Sequence, residues 1–136
     1  MRVLLDTNVV LDVLLKRQPW LNDAAAVWQA NDDGRIMAYL TASTFTDIFY
    51  IAKRVAGIDI ARQAIRTCLN AFEICEVNRQ ALEQAEILSG TDFEDNLQIA
   101  CASIKNLEAI ITRDKSGFQN LSIPVFEPAE FLAQLV

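Results

Sequence analysis

Arg2-Val3-Leu4-Leu5-Asp6-Thr7-Asn8 is a short run rich in Val and Leu that ends on an aspartate and two polar residues. A segment this short and this apolar suits a strand buried on both faces, as strands are in parallel sheets. An acid at its carboxyl end then stands where open parallel sheets bind their ligands. The chain has no histidine, so its side-chain chemistry falls largely to carboxylates. Carboxylates gathered in one place hold hard divalent cations. What matters next is whether other acids reach the edge that Asp6 occupies.

Downstream of Asp6, helical patterns alternate with apolar runs. Val9 to Lys16 suits a short helix ended by Pro19. Asn22 or Asp23 can cap a second helix with Ala26, Val27 and Ala30 on one face, stopped by Asp32-Asp33-Gly34. Ile36 to Leu40 reads as the second strand, and Thr41-Ala42-Ser43 punctuates it. A helix from about Thr44 to Ala56 follows, with Phe45, Ile48, Phe49 and Ala52 spaced for burial, and Gly57 closes it. Asp59 can cap the next helix, with Ala61, Ile65 and Leu69 inward. Phe72 to Val77 reads as a third strand, with Phe72 and Ile74 on one face. Asn78 can cap a helix to about Leu88, and Ser89-Gly90 breaks the pattern. Thr91-Asp92-Phe93-Glu94 has the capping-box form and opens a helix through Ile104. Ala109 to Thr112 and Ile123 to Phe126 are the fourth and fifth strands, and Pro128 starts a C-terminal helix over Ala129 to Leu135. Strands alternating with helices predict an α/β fold, a mostly parallel five-stranded sheet covered on both faces.

The length of 136 residues favours a single domain over residues 1–136. The apolar fraction of 52 % fills a core and leaves a surplus for a subunit or partner interface. No apolar run approaches the ~20 residues that span a bilayer. An acid at position 6 comes too early for a signal-peptide core, so a soluble cytoplasmic protein without membrane attachment is expected. Cys68, Cys75 and Cys101 form an odd, scattered set that fits reduced buried thiols. Without histidine there is no partner to activate a cysteine nucleophile or to complete a structural zinc set. The formal charge of −6 argues against a general nucleic-acid binder, although a cluster of metal-binding acids would itself skew the total.

Four segments bring acids towards one edge. Asp6 ends strand one, and Asp114 follows strand four. Asp92 and Asp95 lie three apart in the first turn of the helix before strand four, so both can project from one helix face. Asp47 lies one turn into the helix after strand two, pointing away from the Phe45–Ile48 face and beside Ser43, Thr44, Tyr50 and Ile51. Each acid also has a plain structural use. Asp6 can end a strand, Asp92 and Asp95 can favour a helix N-terminus through its dipole, Asp114 can sit in a turn, and Asp47 can face solvent. Gathered together, they repel one another and raise one another's pKa values. A divalent cation removes that cost, and oxygen-only ligation suits Mg²⁺ or Mn²⁺. Such ions prepare a water nucleophile and neutralise a phosphoryl oxygen, so hydrolysis of a phosphodiester is the natural reaction.

Leu5-Asp6-Thr7-Asn8, an acid in the helix after strand two, Asp92-Phe93-Glu94-Asp95, and Ile111-Thr112-Arg113-Asp114 occur in the order seen in PIN-domain nucleases, which the chain resembles over nearly its whole length. The bacterial members of this size are mostly toxins of VapC-like toxin–antitoxin pairs. The resemblance implies a three-layer α/β/α architecture and an Mg²⁺- or Mn²⁺-dependent ribonuclease acting on RNA. It also implies a homodimer held inactive by an antitoxin protein. Asp6, Asp47, Asp95 and Asp114 match the acidic quartet, and Asp92 matches an additional acid; Asp6, Asp95, Asp114 and Asp92 are the implied metal ligands. Asn8 and Thr112 match polar residues that support the acids or touch phosphate, and Arg113 and Lys115 are implied phosphate contacts. The second acid is most often Glu in the family, and Asp47 is one methylene shorter. Two other readings stand beside this one. A non-catalytic PIN-like module would keep the acids as relics and work by binding protein. A haloacid-dehalogenase-type phosphatase also begins with a strand-end aspartate, but it wants a second Asp where this chain has Asn8.

Overall fold

The computed structural model describes residues 1–135. The chain passes through β1 (Arg2–Leu5), α1 (Thr7–Leu14), α2 (Leu21–Asp32), β2 (Met37–Thr41), α3 (Ala42–Ala56) and α4 (Ile58–Ala71). It continues through β3 (Glu73–Cys75), α5 (Arg79–Ile87), α6 (Phe93–Ile104), β4 (Ala109–Ile111), a 3-10 turn (Lys115–Gly117), β5 (Val125–Phe126) and α7 (Pro128–Gln134). The five strands form one sheet in the order β3-β2-β1-β4-β5, and every pairing is parallel. The mostly parallel sheet expected from the sequence is therefore wholly parallel, in a three-layer α/β/α arrangement.

Alternation along the strands builds both layers. Val3, Leu5, Ala38, Leu40, Ala109 and Ile111 face one core, which α1 to α4 and α7 cover. Leu4, Tyr39 and Ile110 face the other core, covered by α5 and α6. Leu4 pairs with Tyr39 on one side and Ile110 on the other, so β1 is buried in the middle of the sheet. The chain first builds β2 and β3 on one side of β1 and then crosses to β4 on the other. That reversal opens the crevice in which parallel sheets bind ligands, and Asp6 stands at its mouth.

Several boundaries differ from the sequence expectation. Helix α1 starts two residues earlier than Val9, because the Asp6 side chain caps it by accepting from Thr7 N–H. Helix α2 starts at Leu21 with no side-chain cap, so neither Asn22 nor Asp23 takes that role. Its buried residues are Ala24, Val27 and Ala30, while Ala26 is exposed, because the helix lays a narrower stripe on the core. Helix α3 follows Thr41 directly, and Thr44 replaces Phe45 among its fully buried positions. Gly57, at φ 94°, both closes α3 and precedes α4, which displaces Asp59 from the cap. Helix α4 buries Ala61, Ala64 and Cys68, so Leu69 turns outward. Strand β3 is shorter than Phe72 to Val77; Cys75 is buried and Ile74 is exposed. Asn78 caps α5 as expected. Asp92, not Thr91, caps α6 by accepting from Asp95 N–H at 3.1 Å, which frees Glu94 from a capping box. Among the described residues, no helix is long and apolar enough to cross a membrane.

Candidate active site

Asp6 leaves β1 in extended conformation with only 8 % of its surface exposed. A carboxylate that deep needs hydrogen-bond donors. It has three: Thr7 N–H at 2.7 Å and Gln98 Nε2 at 2.8 Å reach Oδ1, and Thr112 Oγ1 at 2.8 Å reaches Oδ2. The Thr112 hydroxyl in turn accepts from Asp114 N–H at 3.1 Å, which ties the turn after β4 to the carboxylate. Each carboxylate oxygen has two acceptor directions, so this clamp leaves Asp6 free to bind more.

Asp6, Asp47, Asp92, Glu94 and Asp95 line one open hollow of about 400 Å³ at the carboxyl edge of the sheet. Asp92 and Asp95 also wall a neighbouring hollow of about 570 Å³, where Asp114 lies. The structure thus brings Asp6, Asp47 and Asp95 together and sets Asp114 beside them, across Asp95. Asp114 is exposed and its Oδ1 accepts from Ser116 N–H at 3.0 Å, which holds its carboxyl below the usual range. Asn8 sits on the rim, with Oδ1 accepting from Arg113 N–H at 3.4 Å.

Crowding shows in two of the carboxyls. Glu94 is pushed up to about 8, chiefly by burial, then by hydrogen bonding to Asp47 and by the charges of Asp47, Asp6 and Asp92. Asp95 is pushed up to about 6 by burial and by the charges of Asp92, Asp6 and Asp114. Both groups hold protons in the folded chain that they would release when unfolded, so stability falls as pH rises through these ranges. Metal-free protein in EDTA is therefore expected to melt at a higher temperature near pH 5 than near pH 8. Magnesium should raise the melting temperature most at the alkaline end. Thermal melts at both pH values check this; a melting temperature that rises steadily from pH 5 to 8 in EDTA would contradict it.

The donor set is all oxygen, as Mg²⁺ and Mn²⁺ require. Among the described residues, no three His, Cys, Asp or Glu side chains are gathered tightly enough to enclose an ion. Mg²⁺ keeps several waters and takes only one or two protein carboxylates directly, so it does not need such an enclosure. Gln98 is fully buried, its Nε2 is committed to Asp6, and its Oε1 has no partner. The amide cannot turn over, because the Asp6 carboxylate only accepts. Gln98 does not itself line the hollow, so this acceptor sits enclosed behind Asp6. The residues present fit the group.

Gly117 sets the place of Asp95. A Cβ at position 117 would overlap Asp95 Oδ2. The carboxylate, Cγ included, would have to swing away, and Asp95 Cβ at 3.3 Å would have to give slightly as well. Gly117→Ala is expected to lower metal affinity and activity by roughly tenfold or more, the range seen when the support of a ligand is lost. The melting temperature should change little. Mn²⁺ titration against melting curves checks it, and wild-type affinity in this variant would mean that Asp95 does not contribute from this position.

Three residues important to the site were not picked out as such in the sequence. Glu94 looked like a capping residue but reaches into the acid cluster. Gln98 and Asp12 are each a polar residue inside an apolar run on a buried helix face, and that interruption is the signal that could have found them. Asp12, only 1 % exposed, accepts from Arg17 Nε at 2.8 Å and from Arg113 Nε at 3.0 Å. The Arg113 guanidinium also lies 3.8 Å from the Trp20 ring centre. Arg113 and Arg17 both line the hollow and share the one charge of Asp12, so the trio keeps a net positive charge there. Lys115 is paired with Glu130 at 2.9 Å.

A family model described as PIN domain matches residues 2–116. No curated protein is similar enough in sequence to match. Among solved structures, the chain is similar to a toxin–antitoxin complex from Klebsiella pneumoniae, at 21 % identity over 93 % of this chain and 97 % of that chain, with a TM-score of 0.68. It is similar to a VapC toxin of Mycobacterium tuberculosis that cleaves the sarcin–ricin loop, at 14 % identity over 84 % and 91 % of the two chains, with a TM-score of 0.69. A DNA-bound VapBC from Salmonella typhimurium matches at 14 % identity over 94 % and 98 %, with a TM-score of 0.70. Likeness at these identities is likeness of fold.

Proposed function

The chain belongs to the PIN-domain family, and from that premise we propose that it is an Mg²⁺- or Mn²⁺-dependent endoribonuclease, the toxin of a toxin–antitoxin pair, acting in the cytoplasm as one PIN domain over residues 1–136. The observation that carries this reading is the gathering of buried Asp6 with half-buried Asp47, Glu94 and Asp95 around one hollow at the switch point of a parallel sheet. Asp6, Asp95, Asp92 and Asp114 would hold the cation, which when bound lowers the pKa of a water and neutralises charge on a phosphoryl oxygen.

The chain's own residues do the rest. Thr112, Gln98 and Thr7 aim Asp6. Asp47 completes the acidic quartet from α3. The proton released in hydrolysis passes to one of these carboxylates or to solvent, since no histidine is there to take it. Asn8 and Thr112 brace the turn that carries Arg113 and Lys115, the candidate contacts for an RNA backbone, which would exchange their pairs with Asp12 and Glu130 for phosphate. Exposed Tyr50, Val55, Ile58 and Ile60 on α3 and α4 supply apolar surface for an antitoxin or a second copy of the chain.

Incubating the protein with RNA and Mn²⁺ tests the reading. Cleavage is expected to vanish in EDTA and in Asp95→Asn. Cleavage that ignores both controls would sink it. The loose spacing of the acids is the one observation that favours a non-catalytic binding module. On that reading the protein takes up no Mn²⁺ and cuts no RNA, yet still captures a protein partner.

A further inference from the structure

The hollow is lined mainly by acids, and an RNA chain is itself a polyanion. Two arginines line the same hollow, Arg17 and Arg113. Arg17 reaches it because the chain doubles back after α1. Lys16 takes the left-handed conformation at φ 52°, and Arg17 N–H donates to the Asp12 carbonyl at 2.9 Å. The side chain then lies along α1, where Nε donates to Asp12 Oδ1 at 2.8 Å and Nη2 to the Asn8 carbonyl at 3.3 Å. Asn8 and Asp12 are one turn apart on that helix, so the guanidinium is gripped at two points. Arg113 comes from the turn after β4. Its Nε donates to Asp12 Oδ2 at 3.0 Å and its Nη2 to Oδ1 at 3.2 Å, and Trp20 backs its guanidinium. Two positive charges thus meet one negative charge. Asp12 is buried while both arginines stay partly exposed, so the surplus charge is the part that an incoming anion meets. Nη1 of each arginine takes no hydrogen-bond partner among the described residues, which leaves N–H donors on both guanidiniums.

We propose that Arg17, together with Arg113, clamps a phosphate of the RNA backbone next to the one that is cut, the two arginines sharing Asp12. The proposal rests on the nuclease reading above and adds a substrate-binding residue to it. A planar, weakly hydrated guanidinium suits phosphate, and two of them fixed in advance suit it better. The shared carboxylate is what lets the clamp work. Arg113 can exchange Asp12 for phosphate without stranding a buried charge, because Arg17 still compensates it. Phosphate is the anion that fits this place. The RNA chain ties each phosphate to its neighbours, so a backbone whose scissile phosphate lies among the acids carries the next one to the arginines that line the same hollow. Such a contact sets the register of the RNA without reading its sequence.

The experiment measures RNA binding by fluorescence anisotropy over a series of salt concentrations. The full chain carries Asp95→Asn, so that a labelled single-stranded RNA of mixed sequence stays whole. Adding Arg17→Gln is expected to weaken binding by roughly tenfold and to flatten the plot of log affinity against log salt by about 0.7, the share of one phosphate on a single strand. Arg17 lies outside the turn that carries Thr112 and Asp114, so Mn²⁺ affinity of the Arg17→Gln chain, read by calorimetry, should match wild type. Its melting temperature should fall only modestly, because Arg113 still compensates Asp12. Arg17→Lys keeps the charge and should restore most of the slope. A merely structural role for Arg17 would move the melting temperature and leave the slope alone. An unchanged slope in Arg17→Gln, or a slope in Arg17→Lys as flat as that of Arg17→Gln, overturns the assignment while leaving the nuclease reading intact. The first of these is also the result expected if the arginines instead receive an acidic side chain of a partner protein. A native chain that neither binds nor cuts RNA overturns both.

Discussion

Asp6→Asn is expected to abolish RNA cleavage, a loss of more than about a hundredfold, with the fold intact. The two halves of that expectation have separate causes. Asparagine keeps an oxygen where Thr7 N–H and Gln98 Nε2 donate, and its amide can donate to the Thr112 hydroxyl, which rotates to accept. Burial is therefore still satisfied. The lost charge is what the cation needs, and its loss also relieves repulsion with Glu94 and Asp95. Asp6→Ala is a different experiment. It strands the Thr7 and Gln98 donors, each unsatisfied group costing about 1–3 kcal/mol, while the Thr112 hydroxyl can still donate to the Asp114 carbonyl, so the variant should melt below wild type. Activity with melting curves on both variants separates chemistry from folding. An Asp6→Asn protein that cuts RNA at the wild-type rate would remove Asp6 from the centre of the site.

Asp12→Ala is expected to cost about 3 kcal/mol of stability, measured by urea unfolding. Asp12 is buried, and its oxygens receive Arg17 and both Arg113 contacts. Breaking a buried pair leaves charge without compensation, worth about 3–5 kcal/mol when both partners are enclosed. The side chains of Arg17 and Arg113 are 32 % and 27 % exposed, so water takes up part of the loss and the lower figure applies. Glu83→Ala is the control. It breaks the exposed pair with Arg79 on α5 and should cost less than about 1 kcal/mol. Equal small losses in both variants would mean that Asp12 braces nothing. The Asp12 variant should also lose cleavage, because Arg113 anchors the turn in which Thr112 and Asp114 approach Asp6.

The alternation of apolar strands and amphipathic helices already implied a parallel sheet, because each strand reads as buried on both faces and each connection is long enough to cross over. Asp6, Asp95 and Asp114 were legible for the same reason: a strand end or a helix start puts an acid at a known edge of such a sheet. Helix caps were less legible. Several polar residues before a helix can each accept the free N–H groups, and neighbouring packing selects one. Thus Asp92 caps α6 in place of Thr91, and α2 begins without a side-chain cap. The same ambiguity hid Glu94, since its local pattern is that of a capping residue and only the position of α3 shows what it touches.

By itself, the sequence determined the sheet, its layers and the edge at which the acids meet, since these follow from hydrophobic periodicity and the direction of the strands. Only the tertiary structure decided which groups share that edge. Glu94 lies against Asp47, Gln98 aims Asp6 and Asp12 pairs with Arg113 across separations of 47, 92 and 101 residues. Contacts between side chains so far apart in the chain depend on how whole helices pack, and no local pattern carries that information.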